Sequence, residues 1–488
     1  MIRLSFEQKQ DIGLKYVQDR LEPVCPYGLR RLKSEGFYAP EQQEALEREL
    51  DNVELLSAAL TKERILADSL RHELGFLKDL SLTFARLEDQ TLSEVELFEL
   101  TVFCLRMKKI AGLAAQLSSY DRLEGIRFAS SEEMLAVLDP SGEGRLSFYI
   151  EDGRSGELLA ARTKKRELER QLRETNAEER ESFLAARDEA AREEEKALDA
   201  IYRGISEALR PQLEKLRQNA ESAGRLDACL AKAKLALQNA CVRPAVGGEE
   251  LILTEAVHPE VAQSLKERGR EFTPITVGLP RGVTVLTGAN MGGKSVALKT
   301  VVLNTLLALS GCFVFCRKAA VPMFARVELI NRDFSDAGRG LSSFGGEILR
   351  FNEAAERLKE GGLSLIIMDE FARGTNAREG AQIAKGAVRY LAGQPAVTLF
   401  ATHYDGAAEA AVRHYQVKGL QRLTAEASLA QSSARGTDGL RRIENAMDYG
   451  LISVEPGTEC PRDAIAICRL LGLPEEVLDE PEQGTPEQ

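Results

Sequence analysis

The chain has 488 residues, 76 acidic side chains against 64 Lys and Arg, and a formal net charge of -12. That length predicts two or three domains and a large core, while the acidic balance argues against a broad nucleic-acid-binding surface without excluding a local basic patch. An apolar fraction of 44% and a charged fraction of 29% describe an ordinary soluble protein, and no apolar run is long enough to span a membrane.

The first residues are polar and charged, without the apolar core of a signal peptide, and the eight cysteines never form C-x-x-C. A cytoplasmic protein with buried thiols at Cys312 and Cys316 is therefore expected. Its four histidines are too few and too dispersed for a dedicated zinc site.

Up to about residue 240 the apolar spacing predicts helices, most clearly over 41–60 and 92–117. A turn cluster at 139–144 leads into a short strand at 146–150, and a small hairpin is expected there. Residues 158–209 read as one long, charge-dense helix, either an antiparallel arm or a solvated linker. Pro211 divides it from a second helix over 213–237. The Pro/Gly stretch at 244–248 marks the domain boundary, giving a helical region 1–245 and a second domain 246–488.

Beyond it, strands at 250–254, 282–287, 312–316, 363–368 and 397–401 alternate with helices. This is the pattern of an α/β domain with a mostly parallel sheet. A polar stretch covers 424–442, and a helical end over 461–478 has Gly472 as its stop.

The chemistry concentrates in four segments. Gly288-Ala289-Asn290-Met291-Gly292-Gly293-Lys294-Ser295 is a G-x-x-x-x-G-K-[ST] loop between an apolar strand and a helix. Such a loop aims backbone N–H groups and a helix dipole at phosphate, with Lys294 reaching the β- and γ-phosphates and Ser295 holding Mg²⁺. About 75 residues on, an apolar strand ends in Asp369-Glu370, where Asp369 organises Mg²⁺ and Glu370 polarises the attacking water. The strand 397–401 ends in Thr402-His403-Tyr404, which predicts His403 as a γ-phosphate sensor. The fourth segment, 333–347, is rich in Gly and Ser and runs into a helix at Ile348.

Together these segments resemble the ATPase domain of the MutS family. The matching strings are G-A-N-M-G-G-K-S, D-x-x-x-G-L-S-S-F-x-x-E, I-I-M-D-E-F-A-R-G-T-N and F-A-T-H-Y, in family order, over residues 251–478. The resemblance implies an ABC-type P-loop ATPase using ATP and Mg²⁺. It also implies a homodimer through the ATPase domain, whose composite sites take the phosphate loop from one subunit and Ser342 from the other. Residues 460–478 would form the helical dimerisation end, the helices before 139 the core and lever, and 158–209 a clamp-like arm.

Mismatch-reading relatives use a Phe-x-Glu wedge, whereas the nearest string here, Phe37-Tyr38-Ala39, lacks the acid. Nor is the nuclease-like end of the second MutS type expected. Two classes of client stay open. One is DNA, held by Arg162, Lys164, Lys165, Arg166, Arg170 and Arg173 on the arm. The other is a protein, since short MutS-like chains also resemble the reactivating ATPase of adenosylcobalamin-dependent aminomutases.

Overall fold

A strand covered on both faces needs apolar side chains at consecutive positions, and the second half of the chain supplies several such runs. The computed structural model describes residues 2–142, 144, 150–174, 180–288, 293–330, 343–419, 448–460, 468, 473 and 477. Two units divide the chain. The first joins Met1–Leu21, Glu35–Glu54 and Lys232–Gln488, and the second joins Glu22–Ser34 and Leu55–Ala231. The units are therefore not split by a single cut at 245, because two N-terminal stretches pack within the α/β unit.

Ten strands occur among the described residues: β1 (Ala245–Val246), β2 (Leu251–Ala256), β3 (Ile275–Leu279), β4 (Gly282–Thr287), β5 (Lys318–Val321), β6 (Arg326–Ile330), β7 (Ser364–Asp369), β8 (Ala396–Thr402), β9 (Arg413–Gly419) and β10 (Asp448–Val454). They form a four-stranded sheet, β1-β5-β2-β3, and a six-stranded sheet, β10-β9-β4-β8-β7-β6. The larger sheet is parallel except for the antiparallel edge strand β10.

Its strands alternate between two cores. Leu365, Ile367, Val397 and Leu399 join the core that contains the helix Lys294–Leu309 and the inner residues of β2 and β3. Val283, Val285, Ile366, Met368 and Phe400 face the opposite core, with Ala354 and Leu358 of the helix Ser343–Leu358 and Val388 and Leu391 of the helix Ala377–Ala392.

The N-terminal stretch is tied into the first core by Ile12, Leu14 and Val17. Gly13 bends the chain at φ 75°, where a side chain would collide with the His258 ring. His258 Nε2 lies 3.2 Å from the carbonyl oxygen of Ile12, while its Nδ1 accepts from the Val261 N–H. That pairing requires the neutral Nε2–H tautomer. Elsewhere in the unit, buried Lys232 reaches Glu35 (2.9 Å), Glu49 (3.0 Å) and the carbonyl of Ser310 (3.2 Å).

The strand expected at 312–316 does not form. Val314 and Val242 exchange a pair of hydrogen bonds, after which the Cys316 N–H turns back onto the Val314 carbonyl. The true strand begins two residues later, at Lys318. Core burial kept the run apolar without a ladder, and Cys312 and Cys316 are indeed buried. The sequence pattern also missed β3, β6, β9 and β10. The hairpin expected around 146–150, the polar stretch 424–442 and most of 461–478 lie outside the described residues.

In the second unit the helix Glu94–Ala114 starts with a reciprocal cap between Ser93 and Glu96. Residues 158–209 are two helices, Gly156–Glu174 and Arg180–Leu209, rather than one. Lys164 pairs with Glu193 (2.9 Å), and Glu194 receives Arg162 (2.9 Å) and Lys165 (2.8 Å), which makes the two helices antiparallel. Asp152 takes both Arg162 and Arg166 at 2.7 Å, and Arg170 takes Glu167 at 2.6 Å. Alanine at 190 and 197 keeps the hairpin seam thin.

Two outcomes are expected from this packing. Lys232→Ala removes the ammonium that buried Glu49 shares with partly exposed Glu35 and should cost about 3–5 kcal/mol in urea unfolding, part of which Lys232→Met with Glu49→Leu should recover. Burial, the largest influence, lowers His258 from 6.5 to about 4, with Lys299 adding to that shift while Asp11 and the Ile12 carbonyl oppose it. The unfolded chain then binds a proton that the folded chain refuses, so stability should fall as pH drops from 6.5 toward 4, by about 3 kcal/mol at most. His258→Gln should flatten that limb of the pH profile; an unchanged limb would assign it to other groups.

Candidate active site

In a parallel sheet all strand carboxyl ends open on one edge, so residues just past β4, β8 and β7 are brought side by side. The register pairs Thr287 with Thr402 and Ala401 with Asp369. Gly288, His403 and Glu370 therefore leave the sheet at one level.

β4 is buried at every position and ends at Thr287, just before Gly288. Gly288 has φ 152°, and a Cβ there would press on Val417 at 3.0 Å. Gly293, at φ 82°, is the N-cap of the helix Lys294–Leu309, and a Cβ there would strike the Tyr449 ring at 2.8 Å. Both positions thus demand glycine on space as well as on backbone angle. Ala289, Asn290, Met291 and Gly292 lie outside the described residues.

Lys294 is buried, donates to the Gly288 carbonyl (2.7 Å) and stands 3.8 Å from Glu370. Burial depresses its ammonium from the usual lysine range, while Glu370 and Asp369 pull it back up. Ser295, in the first helical turn, is exposed.

Ser295 and Asp369 line one small cavity of about 30 Å³ together with Asp11 and Lys299. Hydroxyl and carboxylate oxygens suit a hard cation such as magnesium. Among the described residues no group of three or more His, Cys, Asp and Glu is set to hold a metal.

Past Asp369 the chain enters an unusual turn. Glu370 and Ala372 sit at φ 50° and 65°, a region that costs a side-chain-bearing residue free energy. Four contacts hold it there. The Glu370 N–H extends the ladder to the Ala401 carbonyl (3.0 Å), and the Ala372 N–H donates to buried Glu347 (3.0 Å). The Tyr404 hydroxyl donates to the Ala372 carbonyl (3.2 Å), and Phe371 stacks on Phe351 with centroids 5.3 Å apart. The turn leaves the Glu370 carboxylate between Lys294 and Arg373.

His403 stands beside this carboxylate with its Nδ1 buried and without a hydrogen-bond partner among the described residues. Burial lowers its pKa and Glu370 opposes the shift, so the ring is neutral near pH 7.

The structure thus brings together Gly288, Gly293, Lys294, Ser295, Asp369, Glu370 and His403. Ser342 and the terminal segment of the dimerisation reading lie outside the described residues, apart from Cys460, Cys468, Leu473 and Val477. Sequence reading missed the buttress role of Glu347 and all roles for Tyr449, His414 and Cys460. Only Glu347 had a signal, as the last residue of its motif.

A phosphate-binding strand, loop and helix beside an acidic strand end define a nucleotide-binding α/β domain. Residues 284–486 match the family model described as MutS domain V. Over 302 residues the chain is 29% identical to the DNA mismatch repair protein MutS of Natronomonas pharaonis, covering 61% of this chain and 33% of that protein. The Aquifex pyrophilus DNA mismatch repair protein MutS is 31% identical over 309 residues, 60% of this chain and 33% of the relative. DNA mismatch repair protein MutS 2 of Halobacterium salinarum is 30% identical over 297 residues, 60% and 32% respectively. The chain spans about a third of the length of these curated relatives. The candidate site thus lies in a region similar to MutS domain V.

Gly293→Ala tests the loop geometry. The left-handed angle and the Tyr449 contact together should cost about 1–3 kcal/mol in urea denaturation, and a neutral result would show that the ring yields freely.

Proposed function

We propose that this chain is a magnesium-dependent ATPase of the MutS type, working as a dimer whose helical arms open and close with the nucleotide cycle. The observation that carries it is the convergence of Lys294, Asp369, Glu370 and His403 on one sheet edge beside the loop 288–295. In this reading the ATPase domain is ABC-type, and backbone N–H groups of the loop bind the phosphates. Lys294 exchanges the Gly288 carbonyl for phosphate oxygens, and Ser295 and Asp369 would hold Mg²⁺. When bound, that ion offsets charge on the β- and γ-phosphates. Glu370 orients the attacking water and accepts its proton, while neutral His403 donates a hydrogen bond toward the γ-phosphate. Ser342 of a second copy completes each site.

Lys294→Ala should abolish nucleotide binding in a fluorescence titration; unaltered affinity would remove the loop from the site. Glu370→Gln should keep binding but lower turnover by a factor of about 10² or more, as expected for loss of a general base. Normal turnover would move that role to another group.

For the client, the names of the relatives support DNA, and the arms would then close on a duplex. The arm's own ion pairs favour a second reading, a protein client such as an aminomutase. Five of its six proposed phosphate ligands, Arg162, Lys164, Lys165, Arg166 and Arg170, already bind carboxylates of the same unit. Releasing them to phosphate would leave those carboxylates beside a polyanion. ATP turnover measured with homoduplex, mismatched and branched DNA separates the two. Stimulation that fades with salt supports the DNA reading, whereas indifference to every DNA supports a protein client.

A further inference from the structure

The nucleotide reading leaves a fully buried imidazole unused. His414, on β9 beside the phosphate-loop strand, is inaccessible to solvent. Its Nδ1 lies 3.3 Å from the Glu455 carbonyl and its Nε2 2.8 Å from the Thr287 hydroxyl. A carbonyl can only accept, so Nδ1 carries the proton and Nε2 accepts from Thr287. One imidazole thereby bridges the last residue of β4 and the chain leaving β10.

That chain returns to the loop. Gln416 donates to the Glu459 carbonyl (2.7 Å), and the Cys460 N–H donates to Asp405 (2.9 Å), two residues past His403. The half-buried Cys460 side chain then lies against Thr287 and within the field of Lys294. Thr287 is thus shared by His414 and Cys460 immediately before Gly288, whose carbonyl holds Lys294.

We propose that His414 is a positioning residue that couples the phosphate loop to residues 455–460, so that nucleotide on the loop resets Cys460 through Thr287. The idea rests on the nucleotide reading above. A phosphate that draws Lys294 off the Gly288 carbonyl alters both the Thr287–Gly288 backbone and the charge beside the thiol. The imidazole bridge converts that change into movement of the segment rather than letting it slip past.

The test is the rate at which N-ethylmaleimide labels Cys460, followed by peptide mass spectrometry at fixed pH, with and without Mg·ADP. In the natural chain, saturating Mg·ADP should change the rate at least several-fold. His414→Leu should bind Mg·ADP with affinity within a few-fold, yet label Cys460 at the same rate in both conditions. His414→Gln, whose amide can donate to Glu455 and accept from Thr287, should restore the response. Should His414→Leu not fold, Thr287→Val removes the same bridge from the other end. A response to Mg·ADP that persists in His414→Leu or Thr287→Val would mean that the nucleotide acts on the thiol without the bridge, and the proposal falls. It falls also if the natural chain binds Mg·ADP without any change at Cys460. Failure of the natural chain to bind nucleotide at all would instead sink the ATPase reading, and this one with it.

Discussion

The helix Lys294–Leu309 is buried along nearly its whole length, and that burial fixes everything at the site. An amphipathic surface helix can roll by tens of degrees at small cost, but one enclosed by side chains on all sides cannot. Here the residues of β2 and β3 cover one side and those of β4, β7 and β8 the other. The helix N-terminus, with Lys294 and Ser295, is thereby locked against the carboxyl edge of the larger sheet. Its polar residues are absorbed internally: Thr300 and Thr305 bond back to preceding carbonyls, while Asn304 reaches the Val257 carbonyl and accepts from the Phe315 N–H.

The same rigidity supports the strained turn after β7. Two left-handed residues within three positions would relax if left in solvent. Glu347, Tyr404 and the stacked Phe351 and Phe371 rings prevent it, and they come from two elements distant in sequence. What the strain achieves is position: the Glu370 carboxylate faces Lys294 instead of continuing along the strand.

The second unit shows a different economy. Its antiparallel helices bury little beyond alanines and a few larger side chains, and opposite charges join them where Arg162, Lys164 and Lys165 meet Glu193 and Glu194. Exposed pairs of this kind add little stability each, and they set register more than strength. Buried Arg162 is the exception. It holds Asp152, Glu194 and the Ile150 carbonyl together and so anchors the base of the hairpin.

The sequence by itself determined the loop, the acidic strand end, the His403 strand end and the change from helical to α/β texture. Each of these is local: a strand, a turn and a helix start lie within a dozen residues, and the chemistry needs those residue types in that order. It also indicated a charged arm, though as one helix, because no periodic signal marks a reversal between two like-patterned helices. Only the tertiary structure decided that residues 1–21 and 35–54 join the α/β unit, that Arg162, Lys164 and Lys165 meet carboxylates across the seam, and that His414 and Cys460 lie beside Thr287 and Tyr449 beside Gly293. Those facts depend on which strands become neighbours. β9 and β10 were invisible to pattern because edge and near-edge strands mix polar with apolar residues. Neighbourhood in a sheet is set by crossovers spanning tens to over a hundred residues, and no local rule in the chain encodes it.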